Sequence, residues 1–143
     1  MKTNVLVVAN QTADSPELLE ALLERAGRGD VDFMLLVPAT PHGVAWATDM
    51  HSGKEGAEKR KEEALAHLRQ AGLEVEGEVG DPDPIAAVQD IWDPGKFDEV
   101  IVSTLPTHVS KWLKVDLPHR VERLTDAPVK HVTAKERKPA TTQ

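Results

Sequence analysis

The chain has 143 residues, 40% of them hydrophobic, enough for one domain with its own core. Its formal net charge of −7 argues against general nucleic-acid binding, which calls for a basic surface. The absence of cysteine excludes disulfides, thiolate catalysis and cysteine-bound zinc. No apolar run approaches the ~20 residues a membrane helix needs. Met1-Lys2-Thr3-Asn4 leads into a strand-like run without a signal-peptide pattern, so the expectation is a cytoplasmic protein that partners neither membrane nor nucleic acid. Aromatic residues are few (Phe33, Phe97, Trp46, Trp92 and Trp112), so the core must be built from Val, Leu, Ile and Ala.

The first strand is read over Asn4 to Ala9, where Val5-Leu6-Val7-Val8 suits a strand buried on both faces. Ser15-Pro16-Glu17 opens a helix: Ser15 caps, Pro16 takes the first helical position, and Glu17 favours the positive end. Leu18, Leu19, Leu22 and Leu23 recur at helical spacing, and Gly27 and Gly29 end the helix. Val31 to Val37 is the second strand. A long loop follows from Pro38 to Gly53, carrying His42, Trp46, Asp49 and His51.

Lys54 to Ala71 is a charged amphipathic helix with Ala57, Ala64, Leu65 and Leu68 inward, closed by Gly72. Leu73 to Val79 alternates apolar and acidic residues, which marks a half-exposed strand near a sheet edge. Gly80-Asp81-Pro82-Asp83-Pro84 turns the chain into a third helix, Ile85 to Trp92, ended by Asp93-Pro94-Gly95. Val100 to Val102 is the fourth strand. Ser103 to Val115 reads as a polar loop with some helical character, its Trp112 and Leu113 packing on the sheet. Asp116 is expected to cap a last helix with Val121 and Leu124 inward, and Val129 to Thr133 is the fifth strand.

Strict β-α alternation implies parallel strands with right-handed crossovers, hence a doubly wound three-layer α/β/α sandwich with an open five-stranded sheet. The expected domain spans 1–134, with a flexible C-terminal tail over 135–143.

Several chemistries are disfavoured. His42, Asp49 and His51 match no compact metal-ligand spacing. Ile101-Val102-Ser103-Thr104-Leu105 lacks the glycines of a nucleophile elbow. Asn10-Gln11 replaces the acidic pair of a phosphoacceptor domain, and Gly-x-Gly-x-x-Gly is absent, which disfavours NAD or FAD. The expectation is a chain without catalytic activity.

The order and spacing of several pieces resemble the universal stress protein (UspA-like) family over nearly the whole chain. They are Val5 to Val8, Ser15 and its Leu/Ala helix, Leu35 to Pro38, Gly80-Asp81-Pro82 with Ile85 and Ala86, Asp98 to Ser103, Arg120 to Arg123, and Ala127-Pro128-Val129. The resemblance implies a Rossmann-like sheet of order 3-2-1-4-5, of the adenine nucleotide alpha hydrolase type. A ligand would then lie at the carboxyl ends of the strands, near the switch between strands one and four. Candidate ligand-binding residues are accordingly Asn10, Val37, Ser103, Thr104, Thr107, His108, Ser110 and Lys111. Family members often pair through the fifth strand, which makes Val129, Lys130, His131, Val132 and Thr133 the candidate edge of a homodimer.

Nucleotide-binding members carry Gly-x2-Gly-x9-Gly-Ser/Thr after the fourth strand, where backbone N–H groups approach phosphates. The corresponding positions here are Ser103, Pro106, Asp116 and Leu117. The chain thus resembles a subgroup lacking the glycine-rich motif. Pro106 has no N–H to donate. Asp116 brings a carboxylate that repels phosphate, by about 1 to 4 kcal/mol for unit charges at ~4 Å. Asn10 stands where the family commonly has Asp. ATP is therefore disfavoured as a cofactor, and a dimeric stress-response module acting through a protein or small ligand is expected.

Overall fold

The computed structural model describes residues 2–39, 50–106 and 110–135, with side chains omitted at 50–53. Strands β1 (Thr3–Val8), β2 (Val31–Pro38), β3 (Val75–Gly80), β4 (Glu99–Thr104) and β5 (Val129–Thr133) alternate with helices α1 (Pro16–Ala26), α2 (Met50–Gln70) and α3 (Pro84–Ile91). A short α4 (Lys111–Lys114) and α5 (Leu117–Thr125) lie between β4 and β5. All strands are parallel, in the order β3-β2-β1-β4-β5, as expected.

The central β1 explains why Val5-Leu6-Val7-Val8 is uninterrupted. Alternate residues serve opposite faces. Val5 and Val7 join Phe33, Leu35 and Val37 beneath Leu18 and Leu22 of α1 and Ala57, Ala64, Leu65 and Leu68 of α2. Leu6 and Val8 join Leu36, Val100 and Val102 beneath Ala87 and Val88 of α3, Trp112 of α4, and Leu117 and Val121 of α5. The outer β3 is half exposed, as its alternating acids require.

Helix starts follow local chemistry. The Ser15 hydroxyl accepts from the Leu18 amide at 3.1 Å, and Asp83 accepts from the Ile85 amide at 3.0 Å, each just before a proline. Gly72 closes α2 at φ +93°, a conformation that favours glycine.

Beyond shifts of one or two residues at element ends, three features differ from the sequence expectation. Helix α2 begins at Met50 rather than Lys54 and runs through Gly53 and Gly56, because a glycine weakens a helix without forbidding one that packs well. Strand β4 continues through Ser103 and Thr104, which pair with Val132 and Thr133 and so belong to the sheet, not to the loop. Asp116 occupies the N-cap position of α5 but makes no cap hydrogen bond. Its backbone is left-handed, at φ 56°, and its carboxylate accepts instead from His119 Nδ1 at 2.8 Å.

Candidate functional site

The strand order reverses between β1 and β4, and in doubly wound sheets the ligand crevice lies outside the carboxyl ends of the strands at such a switch point. Its floor is a pair of hydroxyls. Thr12, in the turn after β1, and Ser103, in the last turn of β4's ladder, lie 2.6 Å apart, with only 4% and 1% of their surfaces exposed. Each satisfies the other where water does not reach. Replacing either by an apolar side chain (T12V or S103A) is expected to cost about 1–3 kcal/mol in urea unfolding, because the remaining hydroxyl loses its partner. The double variant should cost less than the sum; additivity would show that the bond carries no coupling.

One wall is made by Asn10, which is buried. Its Nδ2 donates to the Pro38 carbonyl at 2.9 Å, and its Oδ1 accepts from Nη1 of Arg60 on α2. This relay ties α2 to the carboxyl ends of β1 and β2. Partial burial pulls the Arg60 guanidinium below its ordinary pKa, while the negative charges of Asp14 and Glu63 act in the opposite sense.

The other wall comes from β4 and the segment after it. The Thr104 hydroxyl donates to the Leu105 carbonyl at 2.8 Å, and His131 Nε2 lies 2.7 Å from the Thr104 hydroxyl oxygen. A hydroxyl has one proton, so His131 Nε2 must be the donor. Partial withdrawal from water lowers the His131 pKa. The Ser110 hydroxyl caps α4, accepting from the Leu113 amide at 3.2 Å, and is buried. Lys111 follows it, exposed on the outer side.

The crevice therefore brings together Asn10, Ser103 and, on its outer side, Thr104, all expected from the sequence. Val37 is wholly buried, its side chain in the core cluster under α1 and α2. Thr107 and His108 lie outside the described residues. So do His42, Asp49 and the His51 side chain; among the described residues no three His, Cys, Asp or Glu side chains gather to hold a metal.

Along β5, Lys130, His131 and Thr133 are exposed and Val129 is half-buried, whereas the Val132 side chain belongs to the core. Val132 can thus serve an edge contact only through its backbone. The expected tail lies outside the described residues beyond Lys135, whose amide donates to Glu17 at 3.3 Å.

Two residues of the crevice escape a reading by motif. Thr12 sits in a polar turn with no pattern of its own. Arg60 is hidden in a run of charged residues that reads as a solvated face. Its signal is spacing: it lies three residues after Ala57 and four before Ala64, on the helix's inward stripe.

Beside the crevice, a cavity of about 670 Å³ opens between β2, β3 and α3. Leu36, Ala39 and Gly80 form its base, and Glu78, Asp81 and Asp90 outnumber Lys54 at its walls. That charge balance is unfavourable to phosphate.

This architecture is a doubly wound α/β domain with a polar crevice at its switch point. Its fold is that of the universal stress proteins. Over 91% of this chain and 93% of the other, it is similar to a universal stress protein from Archaeoglobus fulgidus, with a TM-score of 0.65 and 16% identity. A universal stress protein family protein from Arabidopsis thaliana with AMP bound matches over 96% of both chains, with a TM-score of 0.62 and 18% identity. A universal stress protein in complex with cAMP matches over 91% of this chain and 96% of its own, with a TM-score of 0.58 and 19% identity. No family model matches the sequence, and no curated protein matches it. Among the described residues no helix is long and apolar enough to cross a membrane.

Proposed function

We propose that the chain is a non-enzymatic universal-stress-protein module of the cytoplasm, a homodimer acting in stress response through a small ligand or a protein partner. The observation that carries this reading is the crevice itself. Its hydroxyls at Thr12, Ser103, Thr104 and Ser110 are all engaged in bonds within the protein. Pro106 offers no N–H where a phosphate loop needs one, and the Asp116 carboxylate stays with His119. The Thr104 hydroxyl, 2.7 Å from His131 Nε2, spends its proton on the Leu105 carbonyl and accepts from the ring, which favours a structural over a nucleophile–base role for the pair. The homodimer is supported by β5, which among the described residues pairs with β4 alone in the sheet and offers its other edge to a partner strand.

A second reading, an adenine-nucleotide binder with a rearranged phosphate loop, is favoured by the AMP and cAMP bound in two structures of the same fold. Calorimetric titration with Mg-ATP and AMP, together with the mass in solution at ~100 µM, separates the two. The expected result is a dimeric mass with no saturable heat and no melting shift at millimolar nucleotide. A nucleotide at 100-fold its Kd would stabilise the fold by about 2.7 kcal/mol. Saturable binding of that kind would establish the second reading, and a monomeric mass would remove the dimer.

A further inference from the structure

Among the described residues, Arg60 is a group at this end of the sheet whose hydrogen-bonding capacity is only partly used. A guanidinium carries five N–H donors in a planar fork. Among the described residues, Arg60 spends one of them, on the amide oxygen of Asn10. That partner is neutral. Asp14 and Glu63 are near enough to act on the guanidinium through their charge. The side chain is half-buried, its partner among the described residues is neutral, and through Asn10 it reaches the carboxyl ends of β1 and β2, on the side of the sheet where ligands of doubly wound folds lie.

A planar fork with spare donors, partly shielded from water, matches two oxygens of one oxyanion. We propose that Arg60 is the anion-recognising residue of the crevice, taking a singly charged oxyanion, a carboxylate or a phosphate diester, in place of the Asn10 amide oxygen. The nearby charges of Asp14 and Glu63 select against polyanions, since each added negative charge on a ligand is repelled by both. The Asn10 amide is a placeholder: it holds the guanidinium in position through the Pro38 carbonyl and yields to a charged acceptor, which makes the stronger hydrogen bond.

This inference rests on the small-ligand reading above and names its ligand class. Its test is a titration of the ¹⁵N-labelled protein with acetate and, separately, dimethyl phosphate, at constant ionic strength. The expected result is saturable shift changes in the amides of residues 9–15 and 58–62. Arg60→Gln should weaken the binding about tenfold or more, whereas Lys59→Gln, an exposed charge on the same helix, should leave it unchanged. Asn10→Asp supplies a variant that keeps Arg60 paired: its built-in carboxylate should exclude the added anion with the spectrum still that of a folded chain. Saturation by acetate alone or by dimethyl phosphate alone supports the proposal and identifies the source. No saturation by either, or shifts that survive both R60Q and N10D, overturns it. Failure of the underlying reading looks different, as tight Mg-ATP binding in the calorimeter.

Discussion

Leu6→Ala is expected to lower the unfolding free energy by about 2–5 kcal/mol, among the largest effects of any single truncation in this chain. Leu6 lies in the central strand with none of its surface exposed, paired in register with Met34 on one side and Val100 on the other. Its side chain belongs to the cluster under α3, α4 and α5. With strands on both flanks, the sheet cannot close over the lost methyl groups, so transfer energy and cavity cost add. Urea unfolding should show a lower midpoint with an unchanged slope. Leu23→Ala, at a site 42% exposed on α1, is the contrast and should stay within about 0.5 kcal/mol. A similar cost at both sites would mean that the sheet face is not the core described above.

Gly80→Val is expected to destabilise by about 1–3 kcal/mol or more through the opposite fault, excess volume. A Cβ at position 80 would lie 2.8 Å from the Ala87 Cβ on α3 and 2.9 Å from the Leu36 Cδ1 on β2. Glycine is present because the helix rests directly on the strand at this point, and its backbone conformation is ordinary. Relief requires α3 to move off the sheet, so the Gly80→Ala variant should already be measurably weaker. Thermal melts of the two variants check this, and a melting point equal to that of the parent chain for G80V would show that α3 is free to shift.

The sheet is legible in the sequence because its physics is local and repeated. Val5 to Val8 must be covered on both faces, and the alternating acids of β3 must face water. Ser15-Pro16 and Asp83-Pro84 mark helix starts for the same reason in the sequence as in the structure. The strand order came through family resemblance, since no residue encodes which neighbours a parallel strand takes.

The crevice is legible only in part. Asn10 and Ser103 follow from their places at strand ends, but the partner of each is set by tertiary packing: Arg60 lies in a distant helix, and Thr12 in an unremarkable turn. Asp116 shows the same limit at one residue. Its type and position suit a cap, and a left-handed backbone turns its carboxylate to His119 instead.

The strand order also fixes a sequence of events during synthesis. The ribosome delivers β1, β2 and β3 in turn, and these form one half of the sheet in the order β3-β2-β1. Until Glu99–Thr104 has been made, one edge of β1 has no partner, and the face that holds Leu6 and Val8 lacks α4 and α5. The central strand thus gains its second neighbour only when β4 is made, although it is the first of the five strands to emerge. A chain stalled or cut before β4 would present a long unpaired apolar edge, the kind of surface that recruits chaperones or aggregates.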